Sequence, residues 1–390
     1  MKLLYVVSDQ VLPGSTGGSV HVEEVARGLS ERRHEVHVVA KAGPGEIGLP
    51  AGRLHPARPL LPHRFFRWTA ERSVGEWIDR LGVEVVLERY HNFGGEGVRA
   101  AARRGIPSVL EVNSPILDHP GSLKSLLDGA LVVRPLRRAR EALCRQAAAL
   151  VTPLPAIIPP SVPREKVFQI HWGANVERFR PDVPIEGGAA RLALPPDSRV
   201  VVFSGSFRRW HGARVLVQAA ARVLADEVGK SAFFLFLGEG PELPKVAREV
   251  ERLGLTPRVH LAGAVPYREM PAYLARAQVG VAPFEPARHR QLQLGFYWSP
   301  LKIFEYMASG LPVVTLDVDP LNQIVRPGRE GLLVAEGDVP GLSRAILELV
   351  ASPERASAMG RAGREQVVAQ YSWQVHCEKL ELVLEQVRKS

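Results

Sequence analysis

Lys302 and Glu305 stand three residues apart in the stretch "SPLKIFEYMASGLPVV", residues 299–314. Residues at that spacing share one face of a helix. Ser299 is a favoured N-cap and Pro300 suits the first helical position, so the helix is expected to start there. It is expected to stop at Gly310, with Pro312 forbidding continuation and "PVVTL" forming the next strand. Lys302 then lies in the first turn, where the positive end of the helix dipole disfavours a cation. Two readings stand. As a solvated ion pair, Lys302 and Glu305 contribute only about 0.2–0.5 kcal/mol. With a bound phosphate, both the ammonium and the free N–H groups are satisfied, and Glu305, one turn deeper, accepts from two ribose hydroxyls. The second accounts better for a lysine at that end of the helix, and the anion it points to is a nucleotide diphosphate.

Three other loops carry residues of matching chemistry. In "GSTGGS", Gly17 and Gly18 precede a helix and can bring backbone N–H groups close to an anion, although the spacing is not GxGxxG and a plain surface loop is the other reading. In "SGSFRRWHG", residues 204–212, Arg208, Arg209 and His211 form either a diphosphate clamp or a solvated basic turn with Trp210 packing beside it. In "FLGEGPE", Gly238 and Gly240 let a base or ribose approach the backbone. Two further strand ends, "ERYHNFG" and "LEVNSP", present Glu88, Arg89, His91, Glu111 and Asn113. A histidine such as His91 in a loop of this kind fits a structural role as well as a catalytic one.

Ligands of open α/β sheets sit at the carboxyl ends of strands, so the elements carrying these loops matter. The chain opens as strand "LLYVVS", helix "VHVEEVARGLSERR" and strand "HEVHVVA", followed by strands "VEVVLERY" and "PSVLEV" around the helix "EGVRAAARRG". A helical, arginine-rich segment and the strand "LVTPL" close this series. A Pro- and Gly-rich stretch over residues 155–190 divides the chain. A second series then runs "RVVVFSGS", "ARVLVQAAARVLADE", "AFFLFLGEG", "PELPKVAREVERLG", "RVHLAG", "REMPAYLARA" and "VGVAPF" before the 299–314 stretch and the helix "VPGLSRAILELVAS". The alternation predicts an α/β protein of two Rossmann-like, doubly wound parallel sheets facing across a cleft. The final amphipathic helix, "SWQVHCEKLELVLEQV", has no strand after it.

Bulk properties narrow the class. The 390 residues suffice for two domains, with 46% hydrophobic and 23% charged residues as in globular proteins. No run approaches the roughly 18 apolar residues of a membrane span, and "MKLLYVVSDQ" is expected to be a first strand rather than a signal peptide. Cys144 and Cys377 form no disulfide framework or metal cluster, which suits a cytoplasmic setting, and no metal site is expected. The net charge of +9 points to anionic partners: nucleotides, phosphates or an acidic membrane surface. Nucleic acid is not expected, since no binding module is present. Residues 53–80 mix arginine with phenylalanine and tryptophan, and residues 134–145 add further positive charge, which suits peripheral contact with the inner, anionic face of a membrane, or is simply a solvated basic face.

Taken together, these motifs resemble the family 4 glycosyltransferases, the retaining group with the GT-B fold. The resemblance runs nearly end to end through the Gly17-Gly18 loop, "NVERFRP", "LGEGPELPKV", "RVHLAGAVPYREMPAYLARAQVGVAPF" and, most specifically, "SPLKIFEYMASGLPVV". It implies an acceptor-binding domain over 1–172, a nucleotide-sugar-binding domain over 173–371, and a helix over 372–390 that crosses back to the first. It implies donor contacts at Gly17, Gly18, Gly205, Ser206, Arg208, His211, Gly238, Val265, Pro266, Ser299, Leu301, Lys302 and Glu305. Glu305 matches the second glutamate of the family's E-x7-E motif, and Val265 and Pro266 the segment near the base. Asn113, Arg208, Lys302 and Glu305 are the expected catalytic residues, and His21, Arg89, His91 and Glu111 the acceptor-side ones. Three positions depart from the family. The first glutamate of E-x7-E falls at Tyr297, the arginine and lysine of the diphosphate loop fall at Ser206 and His211, and the N-terminal histidine falls at Asn113.

The implied reaction moves a sugar from a nucleotide diphosphate, UDP first among the candidates, to an acceptor hydroxyl with retention and without cofactor or metal. The implied acceptor is a glycan or lipid-linked molecule of the cell envelope. A small soluble acceptor and a catalytically degenerate partner subunit are the alternatives. A nucleotide-sugar epimerase on the same fold is disfavoured by the missing carboxylate at position 297.

Overall fold

Apolar runs bounded by turns mark strands buried on both faces of a parallel sheet, and "LLYVVS" and "RVVVFS" head two such sheets. The computed structural model describes residues 1–14, 16–44, 49–59, 68–91, 94–116, 122–130, 135–195, 197–289, 292, 296–297 and 299–389. In chain order the strands are β1 (Lys2–Leu12), β2 (Glu35–Ala42), β3 (Leu54–Pro56), β4 (Val85–Arg89), β5 (Ser108–Glu111), β6 (Ala149–Thr152), β7 (Val167–Gln169), β8 (Arg199–Ser204), β9 (Ala232–Leu237), β10 (Val259–Leu261), β11 (Val279–Ala282), β12 (Val313–Leu316) and β13 (Gly331–Val334). The helices used below are α1 (Gly17–Glu31), α2 (Glu71–Leu81), α3 (Glu96–Ala102), α4 (Pro135–Gln146), α5 (Ala213–Ala225), α6 (Leu301–Ala308), α7 (Val339–Ala351), α8 (Pro353–Gln370) and α9 (Trp373–Lys389).

The chain forms two units. The first comprises Met1–Trp172, Tyr297–Ser299 and Trp373–Ser390, and the second Gly173–Phe296 and Pro300–Ser372. The first unit holds a seven-stranded parallel sheet in the order β3-β2-β1-β4-β5-β6-β7. Strand order reverses between β1 and β4, the point at which a doubly wound sheet opens to a ligand. Helix α1 turns Val20, Val22, Val25, Ala26 and Leu29 inward. Helix α2 lies in the segment read above as a basic, aromatic surface, yet it buries Val74 and Ile78 against Leu4, Val6, Val39 and Val86. Residues 60–67 and 134 of the proposed basic surfaces lie outside the described residues. The last helix, α9, packs on α1 so closely that a Cβ on Gly28 would lie 2.6 Å from the Cys377 sulfur. Glu381 on α9 meets His34 at 2.6 Å and also pairs with Arg32. Both cysteines are free and buried.

The second unit holds a six-stranded parallel sheet in the order β10-β9-β8-β11-β12-β13, reversing between β8 and β11. Helix α6 and strand β12 form close to the expected limits, and Gly310, at φ +74°, makes the turn between them. The start of α6 differs from expectation. The structure places Pro300 at the cap, and Ser299 turns its hydroxyl away to accept from the Trp172 N–H at 2.9 Å. A long-range hydrogen bond has outcompeted the local cap. Strand β13 and helix α8 lack a clear pattern in the sequence: β13 is short and carries a glycine where a Cβ would lie 1.9 Å from the Val313 carbonyl oxygen.

Candidate active site

In the second unit the loop after β8 and the start of α6 converge. Tyr306 ties them together: its hydroxyl oxygen accepts from the Ser204 N–H at 2.7 Å and lies 3.1 Å from the Ser204 hydroxyl. One turn earlier on the same helix face, Lys302 points its Nζ over the rings of Phe203, at 4.3 Å, and Phe284, at 5.1 Å. Although Lys302 is half-buried as a residue, its Nζ is closed off from solvent and has no hydrogen-bond partner among the described residues. Burial lowers its pKa to about 7, with Glu305 pulling the other way. The ammonium reaches the loop only because position 205 is glycine: a Cβ there would lie 2.7 Å from Nζ and 3.2 Å from His211 Nδ1. His211 is itself buried, and burial, Lys302 and Arg208 together lower its pKa to about 2, so the imidazole is neutral. Glu305 is buried one turn beyond Lys302.

Neighbouring loops are bound to this one through the backbone. The Gly205 N–H donates to Leu237 at 2.9 Å, the Phe207 N–H to Glu239 at 2.8 Å, and the Gly238 N–H to Gly263 at 2.7 Å. Gly238 has φ +127°, and a Cβ on it would sit 2.0 Å from the Gly205 carbonyl oxygen. The structure thus brings Gly205, His211, Gly238, Lys302 and Glu305 into one set of adjoining loops. Ser206 and Arg208 are exposed at its rim, Leu301 and Val265 are half-buried, and Pro266 is exposed. Beside Arg208 lies a cavity of about 350 Å³, lined by Arg209, Arg214 and Arg288 together with Glu242 and Glu285. Tyr297, in the position of the absent carboxylate, is buried, and burial raises its pKa to about 12.

In the first unit, Asn113 follows β5 and its Oδ1 accepts from the Trp172 indole N–H at 3.0 Å. Since an indole can only donate, this bond fixes the amide orientation and leaves Nδ2 as a buried donor with no partner among the described residues. Arg89, at the end of β4, pairs with Asp9 at 2.9 Å, and its Nη2 would lie 3.4 Å from a Cβ on Gly18. Gly17 and Gly18 begin α1, whose cap is the Thr16 hydroxyl accepting from the Ser19 N–H at 3.2 Å. Glu88 accepts from the N–H groups of Gly95 and Val98, at 2.6 and 2.7 Å, and so serves the start of α3. His91 is half-buried in the loop after β4.

His21 and Glu111 behave differently from an acceptor surface. They are 0% and 1% exposed and pair with each other inside the domain. Burial pushes the Glu111 pKa up, but the charge of His21 and its hydrogen bond outweigh this and bring it down to about 2. His376 of α9 completes the group. Sequence reasoning did not single out Trp172, Tyr306 or His376. Tyr306 was findable, four residues after Lys302 and hence on its face; the other two reach their partners only through the fold.

Two doubly wound parallel sheets, each with glycine-built loops after its strands, are the architecture of the GT-B fold. Comparison with known proteins agrees. Residues 15–182 match the model of Glycosyltransferase Family 4, and residues 198–352 that of Glycosyl transferases group 1. A D-inositol 3-phosphate glycosyltransferase of Catenulispora acidiphila is 28% identical over 94% of this chain and 90% of its own. A GDP-mannose-dependent monoacylated alpha-(1-6)-phosphatidylinositol monomannoside mannosyltransferase of Corynebacterium glutamicum is 30% identical over 55% of this chain and 54% of its own. Among solved structures, Anabaena Alr3699/HepE in complex with UDP superposes with a TM-score of 0.74 at 15% identity, covering 99% of this chain and 100% of that one. The chain belongs to the GT4-like glycosyltransferases of the GT-B fold, enzymes that transfer sugar from nucleotide sugars.

Proposed function

We propose that this glycosyltransferase takes its sugar from a UDP-sugar and passes it, with retention of anomeric configuration, to a hydroxyl of a lipid-linked or other cell-envelope acceptor. The observation that carries the donor half is Lys302: a buried ammonium without a partner among the described residues, beside the Gly205 loop and one turn from Glu305. A diphosphate supplies the missing counter-charge, and Glu305 takes the ribose hydroxyls. Arg208 and the neutral His211, donating through one ring nitrogen, assist from the loop after β8. Val265 and Pro266 lie along the base.

In the transfer step the acceptor hydroxyl attacks the anomeric carbon on the face the diphosphate leaves, and a phosphate oxygen takes the proton. The protein's work is to stabilise the departing dianion and to keep water out, which needs no metal in the reaction itself. The free Asn113 Nδ2 donor, held by Trp172, serves the reacting sugar where other members carry histidine. Arg89 and His91 stand on the acceptor side, whereas His21 and Glu111 act from inside the domain as positioning residues. The UDP choice is supported by the Anabaena complex and the envelope acceptor by the phosphatidylinositol mannoside relative. No helix among the described residues is long and apolar enough to cross a membrane, so contact with a lipid acceptor would be peripheral.

A thermal-shift panel of UDP, GDP, ADP, CDP and dTDP, with and without EDTA, tests this reading. Nucleotide at about a hundred times its Kd stabilises by about 2.7 kcal/mol. The expected result is a shift with UDP that survives EDTA and is lost in Glu305→Ala. A shift with GDP alone would move the donor to that of the mannosyltransferase relative, and no shift with any nucleotide would overturn the donor site.

A further inference from the structure

Three side chains from three separate elements meet in the interior of the first unit: His21 of α1, Glu111 at the end of β5 and His376 of α9. One ring nitrogen of each histidine and a Glu111 oxygen all lie within 4.8 Å of one another. Their exposures are 0%, 1% and 2%, so neither a sugar nor an acceptor touches them. The hydrogen bonds around the group fix its protonation. His376 Nδ1 lies 2.7 Å from the His171 carbonyl oxygen, and a carbonyl only accepts, so Nδ1 carries the proton. His376 Nε2 is therefore a lone pair, sealed from water and without a hydrogen-bond partner among the described residues. The Tyr5 hydroxyl donates to the second Glu111 oxygen at 2.7 Å, leaving the first toward His21.

We propose that His21, Glu111 and His376 are the ligands of a buried zinc ion that fastens the C-terminal helix to the first helix and the sheet. Two imidazoles and one carboxylate are the protein ligands of zinc sites whose fourth position is held by a water. The outer bonds are of the kind that orient such ligands: an imidazole N–H on a backbone carbonyl, and a hydroxyl on the carboxylate. Binding displaces the proton that His21 shares with Glu111, replaces that direct contact with two bonds to a shared ion and gives the His376 lone pair its partner. Trp172 and Trp373, with ring centroids 4.3 and 5.3 Å from that of His21, close the site against solvent. Because α9 supplies one ligand and one wall, the ion enters as that helix docks, which couples occupancy to folding. The site is independent of the donor reading above, since it touches none of the second-unit residues.

The full-length chain, produced in zinc-supplemented medium and freed of loose metal by gel filtration, is assayed for metal by mass spectrometry. The expected content is about one zinc per chain, reduced at least tenfold in His376→Gln. Chelator-stripped, refolded protein should melt at a lower temperature and recover on adding zinc. Protein grown with cobalt should show the visible bands of a low-coordinate nitrogen and oxygen site. Equal zinc in wild type and His376→Gln would overturn the proposal, as would a melting temperature indifferent to zinc. Should His376→Gln fail to fold, the cobalt spectrum of the wild-type chain decides alone, and absence of those bands overturns it.

Discussion

At the scale of single residues, the telling group is Lys302, whose ammonium is removed from water before any ligand arrives. An apolar side chain of similar length relieves that cost, so Lys302→Met is expected to raise the melting temperature of the ligand-free protein while lowering turnover. Lost stabilisation of the leaving dianion should cost about 3–4 kcal/mol in activation energy. Melting curves and initial rates on the same preparation check both halves; undiminished turnover would remove Lys302 from the mechanism. Lys302 also sets a pH dependence. Its pKa falls from 10.5 to about 7 on folding, so between these values the unfolded chain binds more protons and stability rises with pH. A bound diphosphate reverses the preference by favouring the charged lysine. Nucleotide affinity should therefore weaken as pH rises above about 7, and binding near pH 8 should take up a proton. Calorimetry in two buffers of different ionisation heat measures that proton; an uptake of zero would mean that the phosphate finds its charge elsewhere.

At the scale of elements, the site depends on loops whose backbones touch. Gly238 has φ +127° and faces the Gly205 carbonyl oxygen with no room for a Cβ. Gly238→Ala must displace the loop after β9 or the one after β8, at a cost of about 1–3 kcal/mol. The expected outcome is a lower melting temperature together with loss of the nucleotide-induced shift. A variant that melts lower yet keeps the full shift would mean that this loop is scaffold rather than binding surface. The same reasoning explains why Ser299 does not cap α6. Its hydroxyl has one strong partner to choose, and the Trp172 N–H, brought near by the fold, takes the place of a free N–H in the helix.

At the scale of the whole molecule, the net charge of +9 must meet anions, but the structure moderates where. Helix α2 spends Val74 and Ile78 on the core, and in α4 Arg137 and Arg145 share Glu141 at 2.8 and 3.9 Å. Trp68, 51% exposed, remains as an aromatic contact next to this region. Sedimentation with liposomes is expected to show binding that rises with anionic lipid and falls with salt, since each basic residue at such a surface contributes about 1 kcal/mol. Equal sedimentation with neutral and anionic vesicles would leave a soluble acceptor as the better reading.

The sequence by itself determined what local chemistry dictates. Alternating apolar strands and amphipathic helices made two doubly wound sheets legible, and Gly238 marked a loop that now lies against the Gly205 loop beside Lys302. Elements whose stability comes from neighbours rather than pattern stayed hidden, such as β3, β7 and β13, each short, and α2 inside a stretch rich in charge. The same division holds at the site. Lys302 and Glu305 were readable because helix spacing alone puts them on one face. That the ammonium would lack a partner among the described residues, that Trp172 would orient Asn113, and that His21, Glu111 and His376 would close on one point were decided by tertiary structure. Those contacts join segments far apart in the chain, and only packing, which acts without regard to sequence distance, brings such groups within bonding range.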